Sequence, residues 1–248
     1  MRWGLLLVVG CGRIAFDPLS DACRRAEQVP ASISFGGRTF RYTSFDNMTA
    51  TIPATQVRIS GDGVDATSTS DAAGNYRVDV PIDGVARRVA ITYSNASYFA
   101  TVLYPDLSLD RDVLGANAAR WSLGDGPLWN GTAVDAVYAA AGVTRDPSLG
   151  TLNIAVRDCA DNIIEGVAVD VIPAPERLEY TAVDGTPSQT LTGTIGPFAH
   201  ALALNVPVGG VSITATKAGL AFAPVEVTVQ SDTGTGGTNT LTLIHAIE

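Results

Sequence analysis

The sequence is poor in the residues from which active sites are usually assembled. Its 248 residues hold two histidines, His200 and His245, and three cysteines. Both histidines sit in alternating stretches, without His-Glu-x-x-His or His-x-x-Glu spacing and without a neighbouring cysteine pair. A zinc site needs three or four convergent ligands, so each histidine is expected to be structural or solvent-facing. No Gly-x-Ser-x-Gly elbow, Ser-x-x-Lys pair, P-loop or Gly-x-Gly-x-x-Gly turn occurs, which removes the common hydrolase and nucleotide-binding signatures. Lysine is nearly missing: of 16 basic residues only Lys217 is one. Charged residues make up 17% of the chain and the net charge is −9, a balance that disfavours nucleic acid as a partner. No apolar run approaches the ~18–20 residues of a membrane-spanning helix.

What is abundant is turn chemistry. The 25 glycines and 13 prolines are scattered in short clusters, a spacing that suits many short strands better than long helices. The clearest unit is Ser70 to Pro81. Asp71-Ala72-Ala73-Gly74 reads as a tight hairpin loop, with the carboxylate capping backbone N–H groups and Gly74 supplying a positive φ. A strand of period 2 follows, with Tyr76, Val78 and Val80 on one face and Arg77 and Asp79 on the other. Pro81 ends it.

Similar units fill residues 31–114. The strands predicted there are 32–35, 38–42, 56–60, 66–70, 75–80, 88–93 and 98–103, with turns at Gly36-Gly37, Gly61-Asp62-Gly63 and Asp83-Gly84. Residues 115–148 break the pattern. A short helix is expected from Thr132 as N-cap to Gly142, with Val134, Val137, Tyr138 and Ala141 forming one apolar stripe. Residues 149–248 return to alternation. Leu152, Ile154 and Val156 share a face, as do Val167, Val169 and Val171, then Leu202, Leu204 and Val206. Val211 and Ile213, Val225, Val227 and Val229, and last Leu241 and Leu243 continue it. Ser231 to Asn239 is Gly/Thr-rich and reads as a flexible loop. The halves echo each other. Val78-Asp79-Val80-Pro81, Gly84 and Val89 to Thr92 match Leu204-Asn205-Val206-Pro207, Gly209 and Val211 to Thr214, a divergent tandem repeat.

The start of the chain has its own pattern. Arg2 is followed by an apolar run from Trp3 to Val9, then Val8-Val9-Gly10-Cys11. This resembles a bacterial lipobox, with residues 1–10 as a short signal peptide and residues 11–30 as a tether. The resemblance implies that Cys11 is acylated and becomes the mature N-terminus, held at a membrane by its lipid. Gly12, where Asp would favour inner-membrane retention, points towards the outer membrane. An ordinary buried strand with an incidental cysteine is the other reading of the run. Within the tether, Leu19 to Ala26 is a candidate short helix after Asp17-Pro18.

At Ala54-Thr55-Gln56-Val57, Asp71 to Tyr76 and Val80-Pro81, the chain resembles the carboxypeptidase regulatory-like family of transthyretin-like β-sandwiches. The second half matches at Gly166-Val167-Ala168-Val169 and Asn205-Val206-Pro207-Val208-Gly209. It lacks the Asp-x-x-Gly hairpin, and Thr194-Ile195-Gly196-Pro197 stands in its place. The resemblance covers about two thirds of the chain and implies immunoglobulin-like sandwiches without catalytic residues or cofactors. In that family the module packs beside enzymes, sits in surface proteins or extends transporters.

Few residues remain as candidate sites. Asp62, Asp65 and Asp71, and Asp106, Asp110 and Asp112, are carboxylate clusters to weigh against calcium, which takes six to eight oxygens; turn capping accounts for Asp71 more simply, and no metal is expected. Cys23 and Cys159 are left once Cys11 is assigned to lipid, and whether they form a disulfide is open. Trp121, Trp129 and Tyr104 are either ligand-facing aromatics or the seal of an inter-domain seam, the seam being preferred for the tryptophans.

The sequence therefore predicts an all-β chain of two tandem sandwiches, at 31–114 and 149–248, joined by a helical connector at 115–148. It is expected to be a non-catalytic, lipid-anchored envelope protein with structural or adhesive contacts to an unknown envelope protein or glycan. A carbohydrate-binding module is the alternative.

Overall fold

The computed structural model describes residue 26 and residues 28–44, 47–105, 108–114, 124–158, 162–196, 200–232 and 238–247. The first half contributes β1 (Ser32–Ser44), β2 (Asn47–Thr51), β3 (Gln56–Gly61), β4 (Val64–Thr69), β5 (Asn75–Pro81), β6 (Ala90–Ser94), β7 (Ala100–Tyr104) and β8 (Val113–Leu114). Next come β9 (Gly126–Trp129) and the helix α1 (Gly131–Ala141). The second half adds β10 (Gly150–Arg157), β11 (Ala168–Ile172), β12 (Arg177–Thr181), β13 (Pro187–Ser188), β14 (His200–Val206) and β15 (Gly209–Thr216). It closes with β16 (Ala221–Phe222), β17 (Val225–Val229) and β18 (Thr238–Ile247). The protein is mostly β, arranged in packed sheets.

Strand β1 is longer than its sequence suggests. Gly36-Gly37 is no turn but the middle of one strand that pairs antiparallel with β5, Phe35 opposite Val78 and Gly37 opposite Tyr76. The glycines are there for clearance. A Cβ on Gly37 would meet the Gly124 carbonyl oxygen at 1.9 Å, and one on Gly126 would meet the Tyr93 ring at 2.4 Å, so this backbone lies flush on its neighbours. Strands β8 and β9 run parallel to β1, and β2 runs antiparallel to it, completing a five-stranded sheet.

The second sheet has ten strands, in the order β13-β12-β14-β10-β18-β7-β6-β3-β4, with β16 paired to β18. It runs through both halves of the chain. Strand β18 lies between β10 and β7 and is parallel to both, Leu241 standing opposite Asn153 on one side and Leu103 on the other. Both spans expected to form sandwiches, 31–114 and 149–248, contribute strands to this sheet. A third sheet of three strands, β11-β15-β17, packs onto the shared sheet.

Two apolar cores lie on opposite faces of the shared sheet. One joins Phe35, Val78 and Val80 of the five-stranded sheet to Val57, Ile59, Ile91 and Leu103. The other joins Val169, Val171, Val211, Ile213 and Val227 to Leu152, Ile154, Val156 and Ile244. Each wholly buried Val, Leu or Ile contributes about 1.5–3 kcal/mol. The alternation read from β3, β5, β10 and β11 places these residues as expected.

Two faces differ from expectation. Leu202, Leu204 and Val206 do not share one: Leu202 and Leu204 pack against α1, while Val206 enters the second core. The ladder of β14 on β10 carries one extra residue between Ala203 and Val206, a bulge in which Asn205 adopts φ 50°. In β18 the second core receives Ile244 and Ala246, whereas Leu241 packs against the first core.

The Asp71–Gly74 loop has the anticipated chemistry and a different destination. Asp71 Oδ1 accepts from Ala73 N at 2.8 Å and Asn75 N at 2.9 Å, and Gly74 has φ 77°. Yet it makes no hairpin, because β4 belongs to the shared sheet and β5 to the five-stranded one. The Gly74 carbonyl accepts instead from Thr39 N at 2.9 Å, which hands the chain to β1. The echoed Val-Pro segments are also crossings. After Pro81 the chain passes from the five-stranded sheet to β6, and after Pro207 from the shared sheet to β15. Strands β3 and β4, by contrast, do form a hairpin, turned at Asp62 and Gly63 with φ 43° and 80°.

Candidate functional site

Helix α1 begins one turn feature earlier than the sequence suggests. Asn130, not Thr132, is the N-cap: its side chain accepts from Ala133 N at 2.7 Å. Gly142 closes the helix in the left-handed region, φ 70°. Ala133, Val134, Tyr138 and Ala141 are buried against Phe99, Trp129, Leu202 and Leu204. In sequence the helix joins two halves, but in space it covers the face of the shared sheet opposite the second core. Strand β10 is thereby buried on both sides.

Beneath the helix lies a cavity of about 20 Å³. Phe99, Trp129, Val134 and Leu202 form apolar walls, and Thr151, Asn153, Asp232 and Asn239 bring polar atoms to it. Asp232 is 1% exposed. Its Oδ2 accepts from Thr151 Oγ1 at 2.9 Å, and Thr151 Oγ1 lies 2.9 Å from the Tyr138 hydroxyl, which accepts from Asn205 N at 3.2 Å. Burial pushes the Asp232 carboxyl up to about 6, against the opposing pull of the Thr151 hydroxyl and the Arg145 charge. Asp232 Oδ1 and Asn239 Oδ1 receive no hydrogen bond from the described residues. Arg145 bonds Asp135 at 3.0 Å and stacks over Phe99, 5.2 Å from the ring centroid.

The residues singled out from sequence do not meet there as a reactive group. Trp129 is 4% exposed and stacks on Tyr42 with centroids 5.0 Å apart, so its indole presents no open face. It fills the seam between helix, β9 and β14. Burial raises the Tyr42 phenol to about 12. Tyr104 is half-buried, packs on the second core and donates to the Thr228 carbonyl at 3.3 Å. Cys11, Cys23, Cys159, Trp121 and Asp106, with most of the candidate tether helix, lie outside the described residues.

His200 and His245 stand apart from any acidic cluster among the described residues. His200 Nδ1 bonds Asn153 Oδ1, and burial first, then the Arg157 charge, lowers its pKa to about 3. His245 is buried, opposite Arg157 across the β18–β10 ladder. The aspartates are engaged one by one. Asp62 Oδ2 accepts from Arg88 N at 2.8 Å, Asp65 pairs with Arg58 at 2.8 Å, and Asp112 Oδ1 accepts from Ser34 N at 2.7 Å. Asp110 accepts from Ala26 N at 2.8 Å and pairs with Arg111 at 3.0 Å. Hydrogen bonds from Asn75 and Ala73 backbone hold the Asp71 carboxyl below its usual range.

Sequence reading missed Asp232 and Asn239, because a carboxylate inside a Gly/Thr-rich run reads as solvated loop. Their burial depends on β18 entering the sheet, which no local pattern announces.

No protein-family model matches the chain, and no curated protein matches it. Solved structures with weak similarity include the Bacillus anthracis TIE protein, at 9% identity and TM-score 0.26, covering 88% of this chain and 34% of that one. The chain thus spans about a third of its length. A double mutant of the shaft pilin SpaA from Lactobacillus rhamnosus GG shares 11% identity at TM-score 0.26, covering 87% and 97%. A variant of BcpA, the major pilin subunit of Bacillus cereus, shares 11% at TM-score 0.27, covering 89% and 60%. Similarity this slight carries no weight in assigning a role to the chain.

Proposed function

We propose that this chain is a non-catalytic, lipid-anchored protein of the cell envelope, in which two coupled β-sandwiches present loops and strand edges for structural or adhesive contact. The observation that carries the reading is the shared sheet. Strand β18 ties β7 to β10 along one continuous ladder, so a pull on either half is borne by both. Such a body suits a spacer or scaffold held at a surface.

The anchor is Cys11. Arg2, the apolar run and Gly10 precede it in the order that a lipoprotein signal requires. Two or more acyl chains, at about 0.8 kcal/mol per buried CH₂, would hold the protein stably, with residues 11–30 as spacer. Gly12 favours the outer membrane, and the carboxypeptidase regulatory-like resemblance agrees with a module that assists rather than catalyses. The reading keeps two sandwich units at 31–114 and 149–248, with 115–148 between them in sequence.

Mass spectrometry of the mature N-terminus from native membranes tests the anchor. A diacylglyceryl-modified Cys11 is expected, with Cys11→Ser releasing the protein from the membrane fraction. An unmodified Met1 in membranes, or cleavage elsewhere, would refute it.

A further inference from the structure

The cavity under α1 is built for a guest of a narrow kind. Two acceptor atoms that receive no hydrogen bond from the described residues, Asp232 Oδ1 and Asn239 Oδ1, belong to residues that line it and are 1% and 6% exposed. Buried oxygens left without a donor are costly, so a guest that donates to both is strongly favoured. The remaining oxygens are largely spoken for: Thr151 Oγ1 donates to Asp232, and Asn153 Oδ1 bonds His200.

We infer that this chamber is a binding site for a single water molecule, which donates one hydrogen bond to Asp232 Oδ1 and one to Asn239 Oδ1. Two features select water. The volume of about 20 Å³ exceeds the ~10–15 Å³ that one water requires and leaves no room for an organic ligand. Two open acceptors match the two protons of water, whereas a hard cation needs about six oxygens and meets the carbon of Phe99, Trp129, Val134 and Leu202 instead. The water joins β18, through Asn239, to the segment entering from β17, through Asp232. It thus ties the end of β17 to the central strand of the shared sheet.

Oxygen-17 relaxation dispersion on the whole chain counts long-lived waters without interference from hydroxyl protons. Two variants displace the guest: Asn239→Leu removes an acceptor, and Val134→Leu pushes one methylene into the chamber while sparing every polar group. One fewer long-lived water in each folded variant than in the wild type is expected. Val134→Leu keeps the test alive if Asn239→Leu does not fold. An unchanged count in Val134→Leu overturns the inference, as does xenon under pressure shifting the Val134 and Leu202 methyl signals, which would mark a dry cavity. Saturable shifts of the same methyls with ammonium chloride, absent with sodium chloride, would make it a cation site and overturn it too.

Discussion

Gly37 and Gly124 touch backbone to backbone, so that a Cβ on Gly37 would stand 1.9 Å from the Gly124 carbonyl oxygen. Gly37→Ala must push β1 away from the segment that leads into β9. The expected loss is about 3 kcal/mol, or roughly 6–12 °C in Tm for a chain of this size. Gly210 has nothing within 4 Å of its added Cβ and no left-handed φ, so Gly210→Ala should leave Tm almost unchanged. Thermal melts of the two variants side by side check the contrast.

Asn205 turns the β14 bulge and is 2% exposed. Its Nδ2 donates to Glu176 Oε2 at 2.6 Å and the Thr144 carbonyl at 2.9 Å, and its Oδ1 accepts from Asp146 N at 3.0 Å. Asn205→Gly keeps the φ of 50° and loses the bonds; Asn205→Ala loses both. Denaturant midpoints should rank wild type above Gly above Ala, with Ala costing about 3 kcal/mol and Gly roughly 1 kcal/mol less.

Asp232 and His200 give stability opposite slopes with pH. Asp232 is raised from 3.8 to about 6, so the folded state holds its proton more tightly; its contribution is complete below pH 3.8 and lost as pH rises through 6. His200 is lowered from 6.5 to about 3, so the unfolded state takes its proton first, and stability falls as pH drops from 6.5 towards 3. Each slope reaches about 1.4 kcal/mol per pH unit. Between pH 4.5 and 6, Asp232→Asn should make urea-derived stability rise more steeply with pH than wild type, and His200→Gln less steeply.

Thr240 stands opposite Leu152 on one side and Val102 on the other, and is wholly buried. Thr240→Pro removes a ladder hydrogen bond at the seam, a change costing about 3 kcal/mol or more. Hydrogen exchange should speed up in β7 and β10 together, 50 residues apart in sequence, while β11 and β15 keep their protection.

How far the sequence was legible depends on whether a signal was local. Tyr76, Val78 and Val80 were placed correctly because one strand alternates over one core. The Asp62-Gly63 hairpin was legible because its turn carries its own geometry. Gly36-Gly37 misled, since glycine marks both turns and close backbone contact, and only Gly124 and Tyr76 from elsewhere decide between them. Val206 was put on the face of Leu202 and Leu204 because a bulge shifts the period by one residue, and the left-handed Asn205 in it looks like any polar strand residue. The paired acceptors of Asp232 and Asn239 belong to the same class of tertiary outcome.

The place of β18 also dictates when the molecule can finish folding. Thr242 Oγ1 donates to the Tyr104 carbonyl across 138 residues of chain. On the ribosome, β7 must wait with a bare edge until all of that polypeptide has been made. An open strand edge invites wrong pairing. Closure over such sequence distances is also slow. A chaperone masking that edge would suit a chain in which β7 waits so long for its partner.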